Sequence, residues 1–147
     1  MVILRPRAFG GVSASLVLLI DLGSKFWAQN LDALPSNNWF DIHLTYNKGI
    51  AFSMLPNQAI LTNLTGLLFS VYLLYRISKS HLTRTSLLLG LVLGGVLGNL
   101  GERLVFGRVS DFIAIENFAV INLADVAIVF GLALYLIHLV KAPQLKR

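Results

Sequence analysis

The 147 residues include no cysteine, which excludes disulfides, thiolate metal sites and a cysteine nucleophile. Acid is scarce as well: seven Asp and Glu stand against twelve Lys and Arg. Charged residues make up 13% of the chain, about half the share of a soluble domain. The three histidines, His43, His81 and His138, are scattered without metal-ligand spacing, so no metal site is expected. The formal charge of +5 comes from short basic clusters between apolar runs. No aromatic-interleaved basic surface accompanies them, which argues against a nucleic-acid partner. What fills the chain is hydrocarbon: 56% of its residues are hydrophobic and the mean hydropathy is +0.73. That balance is the balance of an integral membrane protein.

A spanning helix needs roughly 20 largely apolar residues. Four stretches qualify, at about 9–27, 58–75, 86–106 and 121–140. Arg5 and Arg7 ahead of the first run resemble the start of a signal peptide. That run continues past Asp21 to Trp27 with no convincing cleavage site, and it reads as a retained first helix. Eight basic residues flank the spans on one side: Arg5, Arg7, Arg76, Lys79, Arg84, Lys141, Lys146 and Arg147. The opposite loops hold only Lys48 and Arg108, so both termini are expected in the cytoplasm. Trp27 and Trp39 suit the outer interface, and Tyr72 and Tyr75 the inner one.

The outer segment 28–57 contains Phe40-Asp41-Ile42-His43-Leu44-Thr45-Tyr46-Asn47, which alternates apolar and polar residues as a strand does. Asn47-Lys48-Gly49 supplies turn chemistry, and Ile50-Ala51-Phe52 is a candidate return strand. The expected fold is therefore an all-α membrane protein, one domain over 1–147. It has four transmembrane helices and a small extracytoplasmic β-sheet between helices 1 and 2.

Polar residues of the spans gather at one depth. Asp21 and Lys25 lie in the outer third of the first span, one helical turn apart and able to pair. Asn99, Glu102 and Arg103 share a face in the outer third of the third span, and Asn122 and Asp125 begin the fourth. Asp111 lies between those two spans, in a loop by this reading. Turned inward, these patches make a polar pocket opening outward. Ionisable groups near hydrocarbon are functional candidates by default. Asp21 with Lys25 is most simply a structural ion pair. Arg103 is either structural or an anchor for a substrate carbonyl or a lipid phosphate. Gly90, Gly94 and Gly98 form a small-residue stripe that means close helix packing.

Asp111 and Asp125 resist a purely structural reading. Two carboxyls at one depth can share a proton, one acting as base toward water and the other as acid toward a carbonyl oxygen. An ion or proton site at Asp125 in a transport subunit is the rival reading. It requires charge through the full membrane thickness, and the inner halves of the four spans carry no Asp, Glu, Lys or Arg. A scaffold for membrane precursors, with a purely structural polar cluster, is the other rival.

Five segments in order resemble the bacterial lipoprotein signal peptidase family: DLGSK at 21–25, NKGIAF at 47–52, GGVLGNLGER at 94–103, SDFI at 110–113 and NLADVAI at 122–128. The resemblance implies a membrane aspartic protease of the plasma membrane with its site toward the outer face. Asp111 and Asp125 would be the catalytic pair. Asn99 and Asn122 match the family's active-site asparagines, and Asn47, Arg103, Asp21 and Lys25 match positions that support the site or the substrate. It further implies a diacylglyceryl-modified prolipoprotein as substrate, cut just before the lipid-bearing cysteine. No metal or cofactor is implied, and globomycin is the implied inhibitor class. A monomer is expected, because one bundle can satisfy all the polar patches. Two departures stand out. Glu102 replaces the family's usual Asp before the Arg, which bears on pairing with Lys25 or Arg103. The segment between Asp111 and Asp125 is short, which argues against an outer lid helix.

Overall fold

The structure, a computed structural model, describes residues 5–30, 41–48, 58–115 and 119–141. Four helices are long and apolar enough to cross a membrane: α1 (Pro6–Gln29), α2 (Gln58–Ser78), α3 (Thr83–Phe106) and α4 (Leu123–Lys141). The first three cover the spans expected from hydropathy, and α4 begins two residues later than the expected 121, because Ile121 belongs to a strand. Pro6 stands at the start of α1, where its missing N–H costs nothing. Gly107, in the left-handed region at φ 67°, closes α3 by donating its N–H to the Arg103 carbonyl.

α3 is the axis of the bundle. It is buried over most of its length, packs most extensively against α1, and touches α4 and α2 as well. Glycine explains the closeness to α1. A Cβ on Gly90 would collide with Ser13 and the Gly10 carbonyl, and one on Gly94 with the Ala14 carbonyl and Val17. Gly95 faces the other way, against the Ala124 carbonyl of α4. Membrane helices gain nothing from hiding apolar surface from lipid, so contact of this kind is what holds them together. Beside the stripe, Ala14, Leu73, Ile77, Leu89, Val92, Leu93 and Val96 form the apolar core. α2 and α4 make no extensive contact with each other, and α1 barely touches α2.

A three-stranded antiparallel sheet, ordered β1-β2-β3, packs on the end of the bundle where α1 and α3 finish. Its strands are β1 (Asp41–Asn47), β2 (Val109–Ile115) and β3 (Ala119–Ile121). The sheet was expected in the segment between helices 1 and 2. Among the described residues, β1 comes from that segment, and both of its partner strands come from the segment between α3 and α4. Val109-Ser110-Asp111-Phe112-Ile113-Ala114-Ile115 carries β-branched residues at 109, 113 and 115 and pairs with β1 from Asn47↔Val109 to Asp41↔Ala114. Asp111 therefore lies in a strand and not in a loop. No helix occurs among the described residues of 107–120. The candidate return strand Ile50–Phe52 lies outside the described residues, as do Trp39, Asp32 and Glu116.

Candidate active site

The site begins with the first turn of α4. Asn122 accepts the Asp125 N–H on its Oδ1 at 2.9 Å, and Asp125 Oδ2 accepts the Asn122 N–H at 3.4 Å. This is a capping box built from Asn and Asp, satisfying two N–H groups that a helix start leaves open. Asp21 of α1 satisfies a third, accepting the Ala124 N–H at 2.9 Å. Asp21 is thus more than the partner of Lys25: it docks α1 onto the start of α4.

Because its Oδ1 is committed to the cap, Asn122 directs its Nδ2 outward. That group donates to Asp111 Oδ1 at 2.6 Å and to Asn99 Oδ1 at 3.1 Å. Asn99 Oδ1 also accepts from Lys25 Nζ at 2.9 Å, which turns the Asn99 Nδ2 toward Asp125 Oδ1 at 2.7 Å. Two amides, each oriented by its other partners, therefore connect the two aspartates. Asn47, near the end of β1, donates to the second oxygen of Asp111 at 3.1 Å. The register makes this contact possible: Thr45 lies opposite Asp111, and Asn47 is its diagonal neighbour on the same face. A β-bulge between Ile42 and Thr45 sets that register.

Lys25 is the hub beneath. Its ammonium reaches Asp21 at 2.7 Å and Glu102 at 3.2 Å, with all three side chains buried. Such a pair stabilises little in itself, but removing one member strands a charge at about 3–5 kcal/mol. Glu102 pairs with Lys25 and holds the strand as well. It accepts the Ser110 N–H at 3.1 Å and the Ser110 hydroxyl at 2.6 Å, and Gln29 of α1 donates to the same hydroxyl at 2.7 Å. Ser110 immediately precedes Asp111, so this clamp fixes where that aspartate emerges from the bundle.

Asp111 is almost fully buried, at 3% exposure, while Asp125 is half-buried. Burial pushes the Asp111 carboxyl above its ordinary value. The Asn122 and Asn47 amides oppose the rise, and the charge of Asp125 adds to it, so the two carboxylates feel each other. Asp125 lines a cavity of about 420 Å³ that runs between α2, α3 and α4. Its walls include Thr62, Thr65, Phe69, Asn99, Arg103 and Ile128. The Arg103 Nε is buried there without a hydrogen-bond partner, an N–H held ready for an acceptor from outside.

All eight candidate residues meet at this end of the molecule: Asp21, Lys25, Asn47, Asn99, Arg103, Asp111, Asn122 and Asp125. Arg108, a sequence candidate for pairing with Asp111, instead lies over the Tyr46 ring, 3.6 Å from its centre. Two contributors were missed. Gln29 lies one turn beyond Lys25 on the same face of α1, a spacing that offered a signal. Ser110 offered none except adjacency to Asp111.

A family model described as signal peptidase (SPase) II matches residues 13–141. The lipoprotein signal peptidase of Moorella thermoacetica is 43% identical over 126 residues, covering 80% of this chain and 83% of its own. That of Sulfurovum sp. is 38% identical over 135 residues, covering 85% and 92%. That of Rhodopseudomonas palustris is 31% identical over 160 residues, covering 96% and 98%. A solved bacterial membrane enzyme shares the fold at TM-score 0.82 and 24% identity, over 90% of this chain and 93% of its own. Matching sequence along nearly the whole membrane domain places this chain, an enzyme, in the signal peptidase II family of membrane peptidases.

Proposed function

We propose that this peptidase removes the signal peptide from diacylglyceryl-modified prolipoproteins, cutting just before the lipid-bearing cysteine, with Asp111 and Asp125 as its catalytic pair. The observation that carries the proposal is the amide bridge from Asp111 through Asn122 and Asn99 to Asp125, beside a cavity between α2 and α4. Burial favours the protonated form of Asp111, and it is assigned the part of the acid. Asp125, on the cavity wall, takes a proton from water as the water oxygen bonds to the scissile carbonyl carbon. Asp111 gives its proton to the carbonyl oxygen, yielding a neutral gem-diol. Asp125 then delivers its proton to the leaving nitrogen, the C–N bond breaks, and Asp111 recovers a proton from the diol. Both carboxyls return to their starting states.

The membrane explains the surroundings. A signal peptide is itself a membrane helix, and its cleavage site must unwind at bilayer depth, which is tolerated only inside protein or a wet cavity. The gap between α2 and α4 admits that segment from the side and leaves the diacylglyceryl chains in lipid. Arg103 Nε is placed to receive a substrate carbonyl, and an edge of the outer sheet can cover the unwound segment. With the basic helix ends in the cytoplasm, the sheet and the site face outward from the plasma membrane. One chain suffices for the reaction, and globomycin-type peptides bind the same cavity.

The test is cleavage of a purified lipid-modified precursor, followed by gel shift with and without globomycin. Asp111→Asn and Asp125→Asn are each expected to lose turnover by roughly 10³-fold or more while remaining folded and inserted. Near-normal cleavage by either variant refutes the pair. Equal cleavage of the precursor with and without its lipid refutes the substrate assignment.

A further inference from the structure

A second cavity lies far from the aspartates, at the opposite end of the bundle. It measures about 600 Å³ and opens between α1 and α2 over the buried Leu93 of α3. Its walls are Ala8, Gly11, Leu74 and Ile77, with Arg5 and Arg7 at its mouth. A Cβ on Gly11 would meet nothing within 4 Å, so the wall is bare at that point. The cavity exists because α1 and α2 both pack on α3 but barely on each other.

We infer that this groove is a binding site for one anionic phospholipid of the leaflet opposite the sheet. Its position between two membrane-spanning helices exposes it to lipid, and hydrocarbon is what its walls accept. From Arg5 to Gly11 it runs six residues of helix, about 9 Å. That length takes the first carbons of an acyl chain beneath a headgroup at the helix end. Charge selects the headgroup. The described acids Asp21, Asp41, Glu102, Asp111 and Asp125 all lie at the sheet end, whereas Arg5, Arg7, Arg76, Lys79, Arg84 and Lys141 lie at this one. Two guanidiniums at one mouth match a phosphate diester carrying net negative charge, through paired N–H donors. A zwitterionic lipid offers the same phosphate but adds a cation beside it. The bound lipid fills the gap between α1 and α2, and thereby acts as packing.

The experiment is competition between phosphatidylglycerol and phosphatidylcholine for the purified protein in mixed nanodiscs, read by native mass spectrometry of retained lipid. Wild-type protein is expected to retain phosphatidylglycerol with a preference on the order of tenfold. Gly11→Phe fills the groove while keeping both arginines, and should abolish the preference. Arg5→Gln with Arg7→Gln should abolish it also, whereas Arg84→Gln should not. Equal retention of the two lipids by wild-type protein overturns the site. An unchanged preference in Gly11→Phe reduces the effect to surface charge and overturns it too. If Gly11→Phe does not fold, the contrast between the Arg5/Arg7 and Arg84 variants decides: equal effects overturn the site, and a selective loss at Arg5/Arg7 supports it.

Discussion

The two halves of α3 solve different problems. Over Ser86–Val96 the helix is glycine, leucine and valine, and it is held by contact: Gly90 and Gly94 let the α1 backbone close in. Over Gly98–Phe106 it carries Asn99, Glu102 and Arg103, and it is held by hydrogen bonds and charge to α1, β2 and α4. The first half depends on apolar volume alone, with no room for a Cβ at Gly90, Gly94 or Gly95. In the second, both polar atoms of Asn99 and both carboxylate oxygens of Glu102 have assigned partners, because an unpaired one in a membrane interior costs far more than a poorly packed methyl. Gly98 stands at the border, since a Cβ there would fall on the Asp21 carboxylate. It serves packing and the polar network at once.

Substitutions can separate the two halves. The largest effect is expected from Lys25→Met, which leaves Asp21 and Glu102 without their cation and frees the Asn99 amide to rotate. It should destabilise by about 3–5 kcal/mol and also lose cleavage. A variant with normal thermal stability and normal turnover would show that the polar half is dispensable. Gly98→Ala is next, at about 1–3 kcal/mol by displacing Asp21. Gly101→Ala, where an added methyl meets nothing, should be neutral or stabilise by less than about 1 kcal/mol. Similar melting temperatures for those two variants would remove the border role of Gly98. Glu102→Asp shortens the reach to Ser110, and we expect turnover to fall by about tenfold, or about 1.4 kcal/mol. Turnover at the wild-type rate would mean that the Ser110 clamp does not position Asp111.

The smallest effects concern pH. The folded chain favours protonated Asp111, so the stability this group contributes is complete below its ordinary value of 3.8 and is lost as pH rises through its raised folded value. The melting temperature of wild type relative to Asp111→Asn should therefore fall with rising pH across that window. A difference that is constant with pH would contradict a buried, protonated Asp111. Cleavage should fail on the alkaline side as the same proton is lost. Asn47→Ala removes a hydrogen bond that favours the carboxylate, so it should move that alkaline limb to higher pH. A shift to lower pH would reverse the assigned role of Asn47.

Much of this was legible in the sequence because a bilayer imposes one-dimensional rules. Its thickness sets span length, and the cost of charge in hydrocarbon makes each acid in or beside a span conspicuous. Spans, the depth of Asp21, Asn99, Glu102 and Asp125, and the packing stripe at Gly90, Gly94 and Gly98 all follow from counting along the chain. The strand at Asp41–Asn47 was readable from alternation alone, yet its partner was not. Val109–Ile115 is as long as that strand but does not alternate: Ser110 and Asp111 are adjacent, four apolar residues follow, and its first four residues are all buried.

The tertiary structure decided everything that depends on two distant segments meeting. Lys25 finds Asn99 across 74 residues of sequence, and no periodicity records that encounter. Which way each asparagine amide points follows from what its other atoms already hold, so Asn99 and Asn122 acquire their orientation only once Lys25 and the α4 cap are in place. The burial that raises the Asp111 carboxyl above its ordinary value is likewise a product of assembly. Residue type and depth can be counted on one chain, but desolvation and hydrogen-bond direction exist only between surfaces that have come together.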